Sequence, residues 1–347
     1  MPEAEAESWK REAGSSEWTL PCLSITPMGP GDVVQSVLSP AGAPASSIHQ
    51  LWLLLLGTAS IVFVIVIAFL AVAVVRSVRR SPSDNMPSTS ERTLTRSVGV
   101  AVALTVATLT MLLIASIWAG RSVESVQASS VLSVKITGHQ WWWEIEYEDS
   151  VPSQRFLTAN ELHIPINHPV AVKVTSRDVI HSFWVPNLQG KRDLIPGYQT
   201  AIWLQADRPG VFRGQCAEFC GLQHAHMALD VVAEPEADFE RWLQGMRQPA
   251  PSPRTDEERK GHDVFMTRRC AGCHAVNGSD AYGQVGPDLT HIASRSTIGA
   301  GTLPNTPEHM DGWVKDPQAS KPGNQMPPNP LSDEDSRALL SYLQLLK

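Results

Sequence analysis

Between Gly214 and Met227 the chain reads G-Q-C-A-E-F-C-G-L-Q-H-A-H-M, setting Cys216, Cys220, His224 and Met227 at steps of four, four and three residues. Two thiolates, an imidazole and a thioether are soft or borderline donors, and such a set favours copper over zinc, magnesium or calcium. A further histidine, His181 in D-V-I-H-S-F-W-V-P, stands upstream at a loop-like position and could join them. Two cysteines able to bridge, with two histidines and a methionine, suit two coppers better than one, because a mononuclear blue-copper site needs only one cysteine. Alone, Cys-x3-Cys is also compatible with a disulfide or half a zinc site. His226 is expected to be a bystander, and Phe183 and Trp184 to be packing residues. Asp178, three residues before His181, is either a partner for that histidine or a turn former.

A second chemical signature lies near the other end. Cys270-Ala-Gly-Cys273-His274 is C-x-x-C-H, the pattern for covalent c-type haem attachment. Two thioethers tether the porphyrin, and His274 is held beside the tether as the proximal iron ligand. Thioredoxin-like redox chemistry is the alternative, but the following histidine and the lack of a βαβ pattern weigh against it. A methionine on the opposite side of the iron raises the potential. Met326 in N-Q-M-P-P is favoured for that place, with Met310 competing and His291 or His309 giving bis-histidine ligation instead.

The elements that must position these groups are legible in outline. Leu51–Val75 is apolar and uncharged, long enough at about 1.5 Å per residue to cross a bilayer, and Val98–Trp118 is a second such span. The connector holds Arg76, Arg79, Arg80, Arg92 and Arg96 against Asp84 and Glu91, which places it in the cytoplasm and everything after Arg121 on the outer side. Short β-rich runs follow at 131–134, 144–147, 169–175, 200–204 and 229–232, with no helical run between them, and predict a small antiparallel sandwich or barrel. Glu234–Arg247 predicts a short helix. The run Q-P-A-P-S-P at 248–253 predicts a semi-extended spacer. Helices are expected at 257–267 and 332–346, the latter capped by Ser332. Residues 1–47, rich in Glu, Ser, Pro, Gly and Ala, predict a loosely ordered leader without a secretory signal. Cys22 within it is expected to be an incidental thiol. The net charge of −7 and the absence of a basic cluster argue against nucleic acid as a partner.

The pair H-S-F-W-V-P and C-x-E-x-C-G-x-x-H-x-x-M resembles the copper A motif of subunit II of haem–copper cytochrome c oxidases. With the two spans ahead and the C-x-x-C-H region behind, the chain is similar to the cytochrome-c-fused (caa-type) bacterial branch over nearly all of residues 48–347. The resemblance implies a membrane protein of several domains. These are a transmembrane helix hairpin (48–122), an all-β cupredoxin-like Greek-key copper A domain (128–234), a short helix with linker (235–256) and an all-α class I cytochrome c domain (257–347). It implies that His181, Cys216, Cys220, His224 and Met227 are side-chain ligands of a binuclear copper centre bridged by both sulfurs. Glu218 would lend its backbone carbonyl to the coppers and its carboxylate to a magnesium or manganese ion at the boundary with subunit I. In G-H-Q-W-W-W the first tryptophan, Trp141, would relay electrons, and the carbonyl of Pro287 would orient His274. The implied function is electron transfer from a cytochrome c donor or upstream respiratory complex, through haem c and copper A, to subunit I for oxygen reduction coupled to proton translocation. Subunit III is a further expected partner, and the bacterial inner membrane the expected location. The catalytic oxygen site would lie on another chain. One departure stands out: many relatives carry a carboxylate for proton uptake near the cytoplasmic start of the second helix, and here Glu91 is the only nearby acid.

Overall fold

The computed structural model describes residues 33–79, 90–125 and 132–347. Cys22, Arg80 and Asp84 lie outside the described residues.

Two long helices come first, α1 (Ala43–Val78) and α2 (Glu91–Ser125), packed side by side with their apolar side chains exposed. Both are long and apolar enough to cross a membrane. Each exceeds the apolar stretch that marks it: helix geometry continues through Ala43–Gln50, with Pro44 in the first turn where its missing N–H costs nothing, and through Glu91–Ser97. Arg76 and Arg79 close α1, and Arg92 and Arg96 lie in the opening turns of α2, so positive charge gathers at one end of the hairpin.

The expected loose leader needs correction for its described part. Val33–Val34 forms a short strand, β1, pairing in parallel with Val211 and Phe212. Ala41 is buried, receiving an N–H from Asp207 and donating its own to the Asn187 carbonyl. The composition is polar, but the backbone groups find partners on the following domain, and that suffices to order the segment.

That domain is a sandwich of two sheets. One runs β4 (Phe156–Ala159), β3 (Trp142–Glu148), β2 (Leu132–His139), β6 (Val170–Ser176), β9 (Thr200–Leu204). The other runs β5 (Glu161–Pro165), β11 (Ala228–Glu234), β10 (Gly210–Cys216), β7 (His181–Trp184), β8 (Arg192–Leu194), with β1 beside β10. The sheets are not purely antiparallel as the sequence predicts. β2–β6, β5–β11 and β1–β10 pair in parallel, since the chain between such partners crosses to the other sheet. Inward positions alternate along β3 and β6, and the core they build includes Trp143, Ile145, Val172, Val174, Phe183 and Phe212. This is the cupredoxin-like arrangement.

Helix α3 (Glu236–Met246) leads through the proline-rich run into a helical domain: α4 (Asp256–Thr267), α5 (Cys270–Cys273), α6 (Pro307–Lys315), α7 (Pro317–Ser320) and α8 (Asp333–Leu345). Thr255 and Glu258 form a reciprocal capping box on α4, and Ser332 caps α8. The helices α4 and α8 cross at Gly261, where a Cβ would come within 2.0 Å of the Ala338 carbonyl oxygen. Phe265, Leu339, Tyr342 and Leu343 fill the core beside that crossing.

Candidate metal and haem centres

The sulfur-bearing loop runs from the end of β10 to the start of β11. Because those strands are antiparallel neighbours, its two ends meet: the Cys216 amide donates to the Met227 carbonyl at 2.9 Å. β7 lies on the other side of β10, which sets His181 near Cys216. His181 is therefore a strand residue, not the loop residue its sequence context suggested. Its ring fits against β2 because Gly138 has no side chain; a Cβ there would lie 2.7 Å from His181 Cδ2.

The donor atoms converge. Cys216 Sγ and Cys220 Sγ are 3.7 Å apart, too far for a disulfide, and both thiols are free. His181 Nδ1 lies 3.9 Å from Cys216 Sγ, and His224 Nδ1 lies 3.6 Å from Cys220 Sγ. Met227 Sδ stands 3.9 Å from Cys220 Sγ, and the Glu218 carbonyl oxygen 3.1 Å from Cys216 Sγ. All of these side chains except His224 are buried, and His224 is half-buried. The hydrogen bond from the Cys220 thiol pushes Cys216 down to about 3, while the negative charge so formed pushes Cys220 up. A second thiolate is therefore unfavourable unless cationic metal lies between the sulfurs, which is the condition a soft metal satisfies. The donor set fits copper.

The other ring nitrogen of His181 is held as well. Nε2 meets Asp178 Oδ1 at 2.8 Å, and the same carboxylate accepts from the Val179 and Gln140 amides at 2.7 Å each. Burial opposes the charge on Asp178, but these hydrogen bonds outweigh it and lower its pKa. Asp178 thus orients the histidine and shapes the turn at once. Glu218 presents an exposed carboxylate, with no other acid or histidine grouped with it for a metal among the described residues. The His226 ring turns to Gln223 Oε1 at 2.7 Å.

The β2–β3 hairpin turns through Gln140 and Trp141, since His139 already pairs with Trp142. Both turn side chains reach the sulfur-bearing loop: Gln140 Nε2 and Trp141 Nε1 donate to the Cys220 carbonyl at 2.7 and 3.0 Å. The neighbouring tryptophans do other work. Trp143 is fully buried edge-on to Phe183, and Trp142 stacks on His139.

In the helical domain a cavity of about 490 Å³ is lined by Cys270, Cys273, His274, Met310 and Met326, and by Trp141 and Trp142 of the sandwich. His274 Nδ1 donates to the Pro287 carbonyl at 2.8 Å, leaving Nε2 for a metal. The ring is buried enough that desolvation lowers its pKa, keeping it neutral as a ligand must be. The apolar walls, free thiols and oriented imidazole fit a covalently tethered haem. His291 and His309 do not line the cavity; His291 hydrogen-bonds to the Lys347 and Gln248 carbonyls, and His309 to Thr306. Met326 and Met310 both line it.

Residues 151–234 match the family described as cytochrome c oxidase subunit II, periplasmic domain, and residues 258–347 match the cytochrome c family. Over 326 residues, 91% of this chain and 92% of its relative, the sequence is 32% identical to cytochrome c oxidase subunit 2 of Alkalihalophilus pseudofirmus. The chain belongs to the cytochrome c oxidase subunit 2 family. It is also 35% identical over 225 residues to the subunit 2 of Bacillus sp. strain PS3, covering 62% of each chain. Among solved structures, the periplasmic domain of subunit II from Bradyrhizobium japonicum is 32% identical over 34% of this chain and 94% of that one, with a TM-score of 0.32. Membership gives this chain an electron-transfer role in a haem–copper oxidase, as part of an oxidoreductase complex in a membrane. Copper and haem c follow from the two families.

Two groups escaped the sequence reading. Gln140 sat unremarked inside the G-H-Q-W run, though its place beside Trp141 was a usable signal. Lys321 gave none. It is buried at 2% exposure, and its Nζ donates to the carbonyls of Trp141, His226 and Gly299 at 2.7–2.8 Å.

Proposed function

We propose that the chain takes electrons from a cytochrome c-type donor or upstream respiratory complex and delivers them to subunit I, where oxygen is reduced to water with coupled proton translocation. The prosthetic groups, a binuclear copper A centre and a covalent haem c, would supply reversible one-electron chemistry with little change in geometry. Cys216, Cys220, His181, His224, Met227 and the Glu218 carbonyl would hold the copper centre. Cys270 and Cys273 would tether the haem, and His274 and Met326 would hold its iron. The Glu218 carboxylate is free to reach a magnesium or manganese ion at the subunit I boundary.

The chain's own residues have definite tasks in this scheme. Asp178 fixes the His181 ring so that Nδ1 faces the sulfurs. Pro287 does the same for His274. Trp141 spans the gap between the haem cavity and the copper loop, and that observation carries the proposal: one indole lines the cavity and hydrogen-bonds to the backbone of Cys220. The arginines at the loop end of the hairpin favour a cytoplasmic connector, with both redox domains periplasmic and subunits I and III as neighbours in the bilayer. Glu91, in the first turn of α2, is the only acid at that end of the hairpin among the described residues. The test is a double substitution, Cys270→Ser with Cys273→Ser, in the assembled oxidase. Wild type should keep its haem on the denatured chain, and the variant should lose it and lose oxygen uptake with an external cytochrome c donor. A wild-type chain that releases its haem on denaturation would remove the cytochrome assignment.

A further inference from the structure

An ammonium group is costly to bury unless each of its three N–H donors finds an acceptor. Lys321 meets that condition with no carboxylate. Its three acceptors come from three different segments: the β2–β3 turn (Trp141), the sulfur-bearing loop (His226) and a loop of the helical domain (Gly299). Its own backbone belongs to the stretch between α7 and Met326. Lys321 N donates to the Pro317 carbonyl at 2.9 Å, and Asn324 Nδ2 donates to the Lys321 carbonyl at 2.6 Å. Asn324 Oδ1 in turn accepts the Met326 amide at 2.8 Å. The next residue is tied across too, with the Pro322 carbonyl accepting from Gln223 Nε2 at 2.8 Å.

We infer that Lys321 is a latch that holds the Met326 loop of the cytochrome domain on the copper loop and Trp141, so that the two redox domains act as one docked body and do not swing on the 248–253 linker. The inference rests on the electron-relay function proposed above and adds a positioning residue to it. Further contacts support a fixed seat. The Ala228 amide, directly after Met227, donates to the Ala300 carbonyl at 3.0 Å, and Ser296 donates through its amide and hydroxyl to Glu161 Oε2 at 3.0 and 2.8 Å. The linker is itself fastened to the cytochrome domain, with the Ala250 amide donating to the Asn277 carbonyl at 2.8 Å. A lysine suits the position because a compact ammonium on a four-carbon stem reaches three carbonyls at once. Methionine is of similar length but leaves all three without a donor.

The Ala228 amide reports on docking without reference to either cofactor. In the full chain, solubilised in its oxidase complex, hydrogen exchange at Ala228 should be slow in wild type. It should be roughly tenfold or more faster in Lys321→Met, the factor that corresponds to losing a hydrogen bond to a charged group. Alongside it, electron transfer from haem to copper after flash photoreduction should be insensitive to solvent viscosity in wild type. In K321M it should become slower and viscosity-dependent, with unchanged haem and copper spectra. An Ala228 amide that exchanges freely in wild type overturns the latch whether or not K321M assembles. So does a K321M chain with wild-type exchange and viscosity response. If Ala228 is protected and responds to Lys321 but no electron passes from haem to copper, the latch stands and the relay fails. Gln223→Ala, which removes the Pro322 contact and the Oε1 partner of the His226 ring but none of the three Lys321 donors, should accelerate Ala228 exchange by a smaller factor, and no acceleration in either variant counts against the latch.

Discussion

Asp178 and Trp141 carry the clearest predictions for single residues. Removing the carboxylate in Asp178→Ala frees His181 Nε2 and two backbone amides, and groups that orient a ligating histidine typically account for 10–100-fold in metal affinity. Copper affinity should fall by about that factor in a chelator competition, with the ligand set itself intact. Trp141→Phe keeps the packing surface but deletes the hydrogen bond to the Cys220 carbonyl, a loss of about 1 kcal/mol. Copper content should be retained while reduction of the copper centre slows in stopped-flow measurements; equal rates would show that electrons take another path. Both residues belong to motifs visible in the sequence, because donor types and spacing survive without coordinates. Lys321 was invisible by the same logic. A lone lysine in a loop carries no spacing signal, and its meaning arises only when three distant carbonyls gather around it.

At the scale of elements, close approaches and buried charge decide what can change. Gly261 lets α4 cross α8, and Gly261→Ala should destabilise the cytochrome domain by about 1–3 kcal/mol, as overpacking does, seen as a lower denaturation midpoint. In the sandwich, His163 stacks on Trp242 and lies between Glu234 at 2.7 Å and Glu161 at 3.1 Å. Burial would lower its pKa, but the two carboxylates outweigh burial and raise it above 6.5, while the Glu161 pKa is lowered from 4.5. A raised histidine stabilises the fold below its unfolded pKa and loses that contribution as pH rises through the folded value. A lowered glutamate contributes above its unfolded pKa and fails as pH falls through its folded value. The pair therefore contributes most between these limits. The gap in thermal midpoint between wild type and His163→Gln should be widest at about pH 5.5, midway between those reference values, and narrow toward alkaline pH; a gap that widens there would contradict the assignment. Element type was largely legible: α1 to α4, α8 and five strand runs follow from hydrophobic period and capping residues, whereas α5, α6 and α7 were not anticipated. Strands β4, β5, β7, β8 and β10 were missed because they are short or interrupted by Gly and charged residues, and pairing with neighbouring strands supplies what local propensity lacks. The order of residues 33–47 likewise depends on partners far away in sequence.

For the whole molecule, two apolar helices, a small β sandwich or barrel and a C-terminal haem-binding segment could be read from composition and motif, and the family resemblance supplied the cupredoxin-like fold of the sandwich. How the last two meet could not, since the proline-rich linker is equally compatible with a tethered, swinging domain. The contacts of Lys321, Gln223, Ala228 and Glu161 close that gap through geometry that no local pattern announces. The proposed relay passes electrons from one centre to the other, and it requires both centres on the same chain. Electron paramagnetic resonance with metal analysis on the full-length chain, purified by itself in detergent so that no partner metals intrude, tests this most directly. One unpaired electron shared over two copper nuclei, at two coppers and one iron per chain, is the predicted result. A mononuclear copper signal, or zinc in place of copper, would contradict it.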